Sequence, residues 1–223
     1  MLKRLLPVIV LATAGFTFFG AERERTYSAE PITAWVVDKE TRQGIPGVNV
    51  VAVWELDGGL EGHVVGVFKV LETVSDDDGK FHFPAWGPET RKVNGVIRGG
   101  APRLLLFKHG YRPDGMPNMN SLLTEAPSTM RSEWNGRQWP LERYRGMFTD
   151  YASDVAGRID AQMGFYENLQ PCLWRDLPQL RLFMKSENRA LRLNETDQTL
   201  VEADSADEAM RAQRCRRFER GEK

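Results

Sequence analysis

The stretch Val36–Glu55, VVDKETRQGIPGVNVVAVWE, decides the fold. An apolar strand ends at Asp38, a polar turn runs from Thr41 to Gly47, and a second apolar strand opens at Val48. Pro46 fixes φ and lacks an N–H, which suits a turn and not a central strand. Asn49–Trp54 is apolar at nearly every position, the pattern of a strand covered on both faces. Further on, VLETVSDDDGKFHFPAWG (Val70–Gly87) carries a third strand into Asp78-Gly79, where glycine can take the positive φ of a tight hairpin. Phe81 and Phe83 then point to one face, Lys80 and His82 to the other. LLLFKHGY (Leu104–Tyr111) reads as a later core strand with a glycine exit.

The order and spacing of these pieces resembles the carboxypeptidase regulatory-like domain, a small transthyretin-like β-sandwich. The likeness covers Val36 to Tyr111 of a 223-residue chain, and the insert Asp57–Val67 is longer and richer in glycine than a minimal hairpin loop. The resemblance implies a non-catalytic appendage or adhesion-type module. The catalytic residues of metallocarboxypeptidases belong to a different domain, so no peptidase activity carries over.

Composition allows a core and withholds a global field. Hydrophobic residues make up 41% of the chain, enough for a sandwich with a helical extension. The net charge of −1 gives no long-range attraction for nucleic acid. The N-terminus bears on compartment. Lys3 and Arg4 precede the apolar run Leu5–Gly20, and charge returns at Glu22-Arg23-Glu24-Arg25, the layout of a secretory signal. The run is short against the roughly 18–20 apolar residues of a spanning helix. Ala12-Thr13-Ala14 satisfies the small-x-small rule, whereas cleavage after Gly20 or Ala21 puts a phenylalanine at −3. Residues 1–21 are thus expected to be a signal peptide or an uncleaved membrane anchor, with tethering through residues 5–20.

Strands are expected at Ile32–Asp38, Val48–Leu56, Val64–Ser75 (in one or two pieces), Lys80–Pro84 and Leu104–Lys108: short, regularly spaced, and separated by turn signals. Gly87–Thr90 and Arg98–Pro102 read as loops, and Arg112–Arg131 as a long irregular connection. Trp134-Asn135-Gly136-Arg137-Gln138-Trp139 carries a hairpin signal, with Arg137–Leu141 as a closing strand. After Tyr144 the period becomes helical. Tyr151, Val155, Ile159, Met163 and Tyr166 mark a first helix capped by Thr149 or Asp150. Asp176 is expected to cap a second, with Pro178 in its first turn and Leu177, Leu180, Phe183 or Met184, and Leu191 as its apolar stripe. Asn194–Asp204 reads as loose, and Ser205-Ala206-Asp207-Glu208 as a capping box opening a third helix with Met210, Cys215 and Phe218 as its stripe. The expected division is therefore a β-sandwich at 30–144 and a helical extension at 145–223.

Candidate chemistry is sparse. His63, His82 and His109 lie in the sandwich at spacings that match no compact metal motif, so scattered structural histidines are the expectation. Asp76-Asp77-Asp78-Gly79 offers carboxylates to calcium, but a turn whose Asp side chains bond their own backbone explains it without a metal. Trp54, Trp86, Trp134, Trp139 and Trp174 are expected in the core, with sugar stacking as the alternative. Arg211, Arg214, Arg216, Arg217 and Arg220 make the third helix basic near its C-terminus, where the helix dipole favours cations; Glu208, Glu219 and Glu222 dilute the charge, so a solvated face is the expectation and a phosphate or acidic-partner contact the alternative. Cys172 and Cys215 have neither a Cys-x-x-Cys partner nor an evident base nearby, and in an exported chain they are expected to form a structural disulfide. No P-loop, G-x-S-x-G or dinucleotide fingerprint occurs.

The reading is a mainly β protein with an α extension: a transthyretin-like or Ig-like antiparallel sandwich followed by helices. Its expected role is that of a non-catalytic binding or scaffolding module of the periplasm or cell envelope, without a cofactor, its partner an envelope protein or glycan. A carbohydrate-binding module and a hydrolase with an unrecognised site are the alternatives.

Overall fold

A computed structural model of the protein describes residues 22–58, 63–116, 125–146, 157–191 and 197–222. The N-terminal apolar segment, the Thr149 or Asp150 cap and Tyr151 and Val155 lie outside these residues, as do the side chains of Ile159 and Leu191. Among the described residues, ten strands precede the helices: β1 Arg23–Ala29, β2 Ile32–Asp38, β3 Asn49–Gly58, β4 His63–Val74, β5 Lys80–Phe83, β6 Trp86–Val93, β7 Arg103–Phe107, β8 Asp114–Met116, β9 Thr129–Met130 and β10 Gln138–Leu141. Then come α1 Gly157–Leu169, a 3-10 turn Leu173–Asp176, α2 Pro178–Leu191 and α3 Asp197–Glu219. The fold is a β-sandwich with a helical extension. Two three-stranded sheets, β6-β1-β9 and β10-β2-β5, face a four-stranded sheet β4-β3-β7-β8 across a common core.

The continuous apolar run of β3 has the cause read from it: both faces are buried. Val50, Ala52, Trp54 and Leu56 enter the core between the sheets, with Phe81, Phe83, Leu104 and Leu106. Val51 and Val53 enter a second core under the helices, with Leu105, Phe107, Met163, Leu177 and Leu180. β7 divides in the same way, because side chains alternate along a strand. Phe81 and Phe83 are each 1% exposed while Lys80 and His82 are exposed, as the alternation predicts.

Several pairings depart from expectation. Asp78-Gly79 makes a tight turn, with Asp76 Oδ1 accepting the N–H groups of Asp78 (3.1 Å) and Lys80 (2.8 Å). It is not a hairpin: β5 pairs with β2, so the turn carries the chain from one sheet to the other. Gly79 (φ +74°) is required there, since a Cβ would lie 2.2 Å from the Val36 carbonyl oxygen. Asn135-Gly136 likewise joins two sheets. Asn135 Oδ1 accepts the Thr33 N–H (2.9 Å), Gly136 N–H donates to the Thr33 carbonyl (2.7 Å), and β10 runs parallel to β2. The expected loop Gly87–Thr90 is part of β6, an edge strand, and Gly87-Pro88 falls where its register against β1 slips between Tyr27 and Ala29. An edge and a bulge are the places where a strand tolerates proline. The charged run Arg23–Arg25 belongs to β1, so the sheets begin ahead of residue 30.

The helices bring two corrections. α2 begins at Pro178, but Asp176 does not cap it. The Gln179 and Leu180 N–H groups donate to the Glu72 carboxylate of β4, at 2.7 and 3.0 Å. α3 begins at Asp197, so Asn194–Asp204 is largely helical and Ser205 lies inside the helix. Ser-x-x-Glu marks no start here because Glu208 has partners in α2: Arg181 at 2.7 Å and Lys185 at 2.5 Å.

Candidate functional site

The extension is fastened at one covalent point. Cys172 precedes the 3-10 turn and Cys215 lies late in α3. They form a disulfide with Cα atoms 4.6 Å apart, closing 43 residues of chain. Both are buried, whereas the rest of the expected stripe is not: Met210 is 59% and Phe218 51% exposed. Where its side chains are described, from Asp207 on, α3 therefore docks mainly through charge. The Glu167 carboxylate of α1 is buried, and Arg214 Nη1 donates to it at 3.1 Å while Arg211 approaches at 3.9 Å. Arg211 also stacks on Trp174, its guanidinium carbon 4.0 Å from the ring centroid.

Between the Cys172 turn, α2 and α3 lies a cavity of about 220 Å³. Pro171, Trp174, Ala212 and the disulfide give it an apolar lining. Four guanidiniums, those of Arg175, Arg181, Arg211 and Arg216, stand against the two carboxylates Glu208 and Glu219. Both carboxylates are engaged, Glu219 by Arg175 at 2.9 Å and Glu208 by Arg181 and Lys185. The lysine and arginine hold the Glu208 carboxyl below its ordinary range, Lys185 contributing most. Arg216 is exposed and its side chain has no partner among the described residues. Trp174 is buried and its indole Nε1 has no hydrogen-bond partner among them either. The structure thus turns part of the basic tract into a cavity wall. Sequence reading placed Arg211 and Arg216 on a solvated face, with a phosphate or acidic-partner contact as the alternative, and passed over Arg175 and Arg181. The available signal was Trp174-Arg175 two residues beyond one cysteine and Arg216 beside the other.

The other candidate residues are dispersed. His82 on β5 shares a hydrogen bond with Thr33 Oγ1 (2.9 Å), His109 follows β7 and contacts the buried Glu187 (2.9 Å), and His63 opens β4. Among the described residues, the one group of three metal-type donors is Cys172, Cys215 and Glu219, and its sulfurs are bonded to each other. Asp76 spends its carboxylate on the turn. Trp54, Trp86, Trp134 and Trp174 are buried and Trp139 packs half-buried against the first core, so these rings form no stacking platform.

Two polar knots went unanticipated. Asp38, 2% exposed, accepts from the Glu40 and Thr41 N–H groups (3.0 Å each), the Tyr111 hydroxyl (3.0 Å) and Arg143 Nε (2.5 Å). The Thr41 N–H, then Arg143, hold its carboxyl well below the usual carboxylate range. The Tyr166 hydroxyl donates to Glu55 Oε1 (2.5 Å), which also receives Arg103 Nε (3.0 Å). Burial, reinforced by the Glu55 charge, pushes that phenol far above its ordinary value. Both knots join residues more than 70 positions apart, Asp38 to Tyr111 and Glu55 to Tyr166, so no local spacing announces them.

No protein-family model matches the chain, and no curated protein matches it. Two solved structures show distant likeness. One is the dioxygenase domain of a dioxygenase carbohydrate-binding protein fusion from the cellulolytic bacterium Streptomyces sp. SirexAA-E. It is 17% identical with a TM-score of 0.26, over 53% of this chain and 79% of that one. The other is a 9R-lipoxygenase from Cyanothece PCC8801, 13% identical with a TM-score of 0.27, over 80% of this chain but 26% of the lipoxygenase. At such TM-scores neither likeness bears on activity.

Proposed function

We propose that the protein is an exported, non-catalytic binding or scaffolding module of the periplasm or cell envelope, carried there by its N-terminal segment. The Cys172–Cys215 bond carries this reading. Among the described side chains of α3 only Cys215 is buried, so the placement of this part of the helix rests on an oxidised cysteine pair, and such pairs persist in oxidising compartments. The resemblance of Val36–Tyr111 to appendage-type sandwiches supports the same role. A fusion of residues 1–30 to a reporter active only outside the cytoplasm is expected to score positive. Thiol trapping of the native protein in intact cells should find both cysteines blocked. Free thiols together with an inactive reporter would sink the reading.

A further inference from the structure

We propose that the arginine-rimmed cavity beside the disulfide takes an acidic side chain from a partner polypeptide. The proposal deepens the binding-module reading and rests on it. Size is the first argument. At about 220 Å³ the cavity falls below the roughly 300–1,000 Å³ of clefts that enclose drug-sized ligands. It suits one side chain better than a cofactor or an oligosaccharide.

Charge is the second. Four guanidiniums face two carboxylates across the lining, and both carboxylates are already held. Arg216 is left with a full positive charge and no partner among the described residues. Guanidinium matches carboxylate in geometry as well as sign. The rim already makes such contacts internally, Arg181 to Glu208 at 2.7 Å and Arg175 to Glu219 at 2.9 Å. An incoming carboxylate meets the same chemistry at Arg216.

The lining is the third. Trp174, Pro171 and Ala212 offer apolar surface to the methylenes of a glutamate. The Trp174 ring borders the cavity and so reports on its occupancy. Because the chain as a whole carries a charge of −1, the attraction is local to this cavity and will not draw polyanions in general.

The test titrates the full-length, oxidised protein with hexaglutamate, blocked at both ends, and follows the tryptophan indole N–H resonances. Trp174→Phe assigns the relevant signal among the six tryptophans. The expected result is a saturable shift of the Trp174 resonance. Arg216→Glu should weaken binding tenfold or more and Arg216→Gln by less, while Lys80→Glu on β5 leaves affinity unchanged. Arg216 has no partner to lose among the described residues, so these variants should fold. Reduction with dithiothreitol should abolish the shift, because α3 supplies one wall. Absence of a Trp174 shift would overturn the proposal, as would equal affinity in Arg216→Glu. Succinate binding as tightly as the peptide would assign the cavity to a small acid instead, and so also overturn it. Export is measured separately, so an exported protein that ignores hexaglutamate refutes this site and leaves the module reading standing.

Discussion

α2 and α3 are neighbours in the same extension and are held by different forces. α2 buries Leu180 and Met184 against the outer face of β3 and β7, with Leu177 just ahead of it, and its first turn is closed by Glu72. α3 exposes Met210 and Phe218. It is held by a disulfide, by Arg211 and Arg214 on Glu167, and by Glu208 on Arg181 and Lys185. One helix depends on apolar area, which neither salt nor redox state removes. The other depends on contacts that salt, acid or a reductant weakens. A helix can thus be well placed without being well buried, and its placement then follows the state of its surroundings.

The sharpest test removes the disulfide. Replacing both cysteines by alanine should cost about 4 kcal/mol in the chain-entropy account of a loop this long. Hydrogen exchange should then show α3 losing protection while α2 keeps it. Loss of both together would erase the distinction. Leu180→Ala should cost about 3 kcal/mol, within the span for a fully buried leucine, measured by chemical denaturation. A loss under 1 kcal/mol would mean that α2 too is not seated by burial.

Glu72→Ala leaves the Gln179 and Leu180 N–H groups without their acceptor and should cost about 1 kcal/mol, with α2 rather than α3 fraying first. Acid should act the other way round. The pKa of Glu208 is lower in the folded protein than in the unfolded chain. Its contribution is therefore complete above about pH 4.3 and is lost as pH falls through the folded value. Exchange in α3 should rise over that window before exchange in α2 does. Met210→Ser and Phe218→Ser should each change stability by less than about 0.5 kcal/mol, as exposed positions do. A larger loss in either would give this part of α3 an apolar seat.

The sandwich was legible where side-chain period and burial agree. The unbroken apolar run in β3 and the alternation of Phe81 and Phe83 name their faces without reference to any partner. Pairing was harder to read. Asp78-Gly79 and Asn135-Gly136 are locally sound turns, but a turn states that the chain reverses and not which strand it then joins. β6 was hidden because Gly87-Pro88 looks like a break, and only an edge position with a bulge makes it acceptable. The cysteine pair was readable because no third cysteine competes. The cavity was not, since Arg175, Arg181 and Arg216 acquire a common purpose only when α2 and α3 meet. Capping rules failed at both helices for one reason: Glu72 and Glu208 act across the fold, beyond the reach of local spacing.

The cap that Glu72 lends to α2 has a consequence for the order of events during synthesis. Glu72 precedes Gln179 by 107 residues. At ~5–20 residues per second, β4 emerges from the ribosome on the order of 5 to 20 s before the helix it will close. The sheet can therefore be standing when Pro178 appears, and the new helix meets its acceptor at its first turn. A circular permutant that placed the extension ahead of the sandwich would reverse this. Gln179 and Leu180 would keep their N–H groups in water until β4 had formed, and α2 would gain protection only after the sheet.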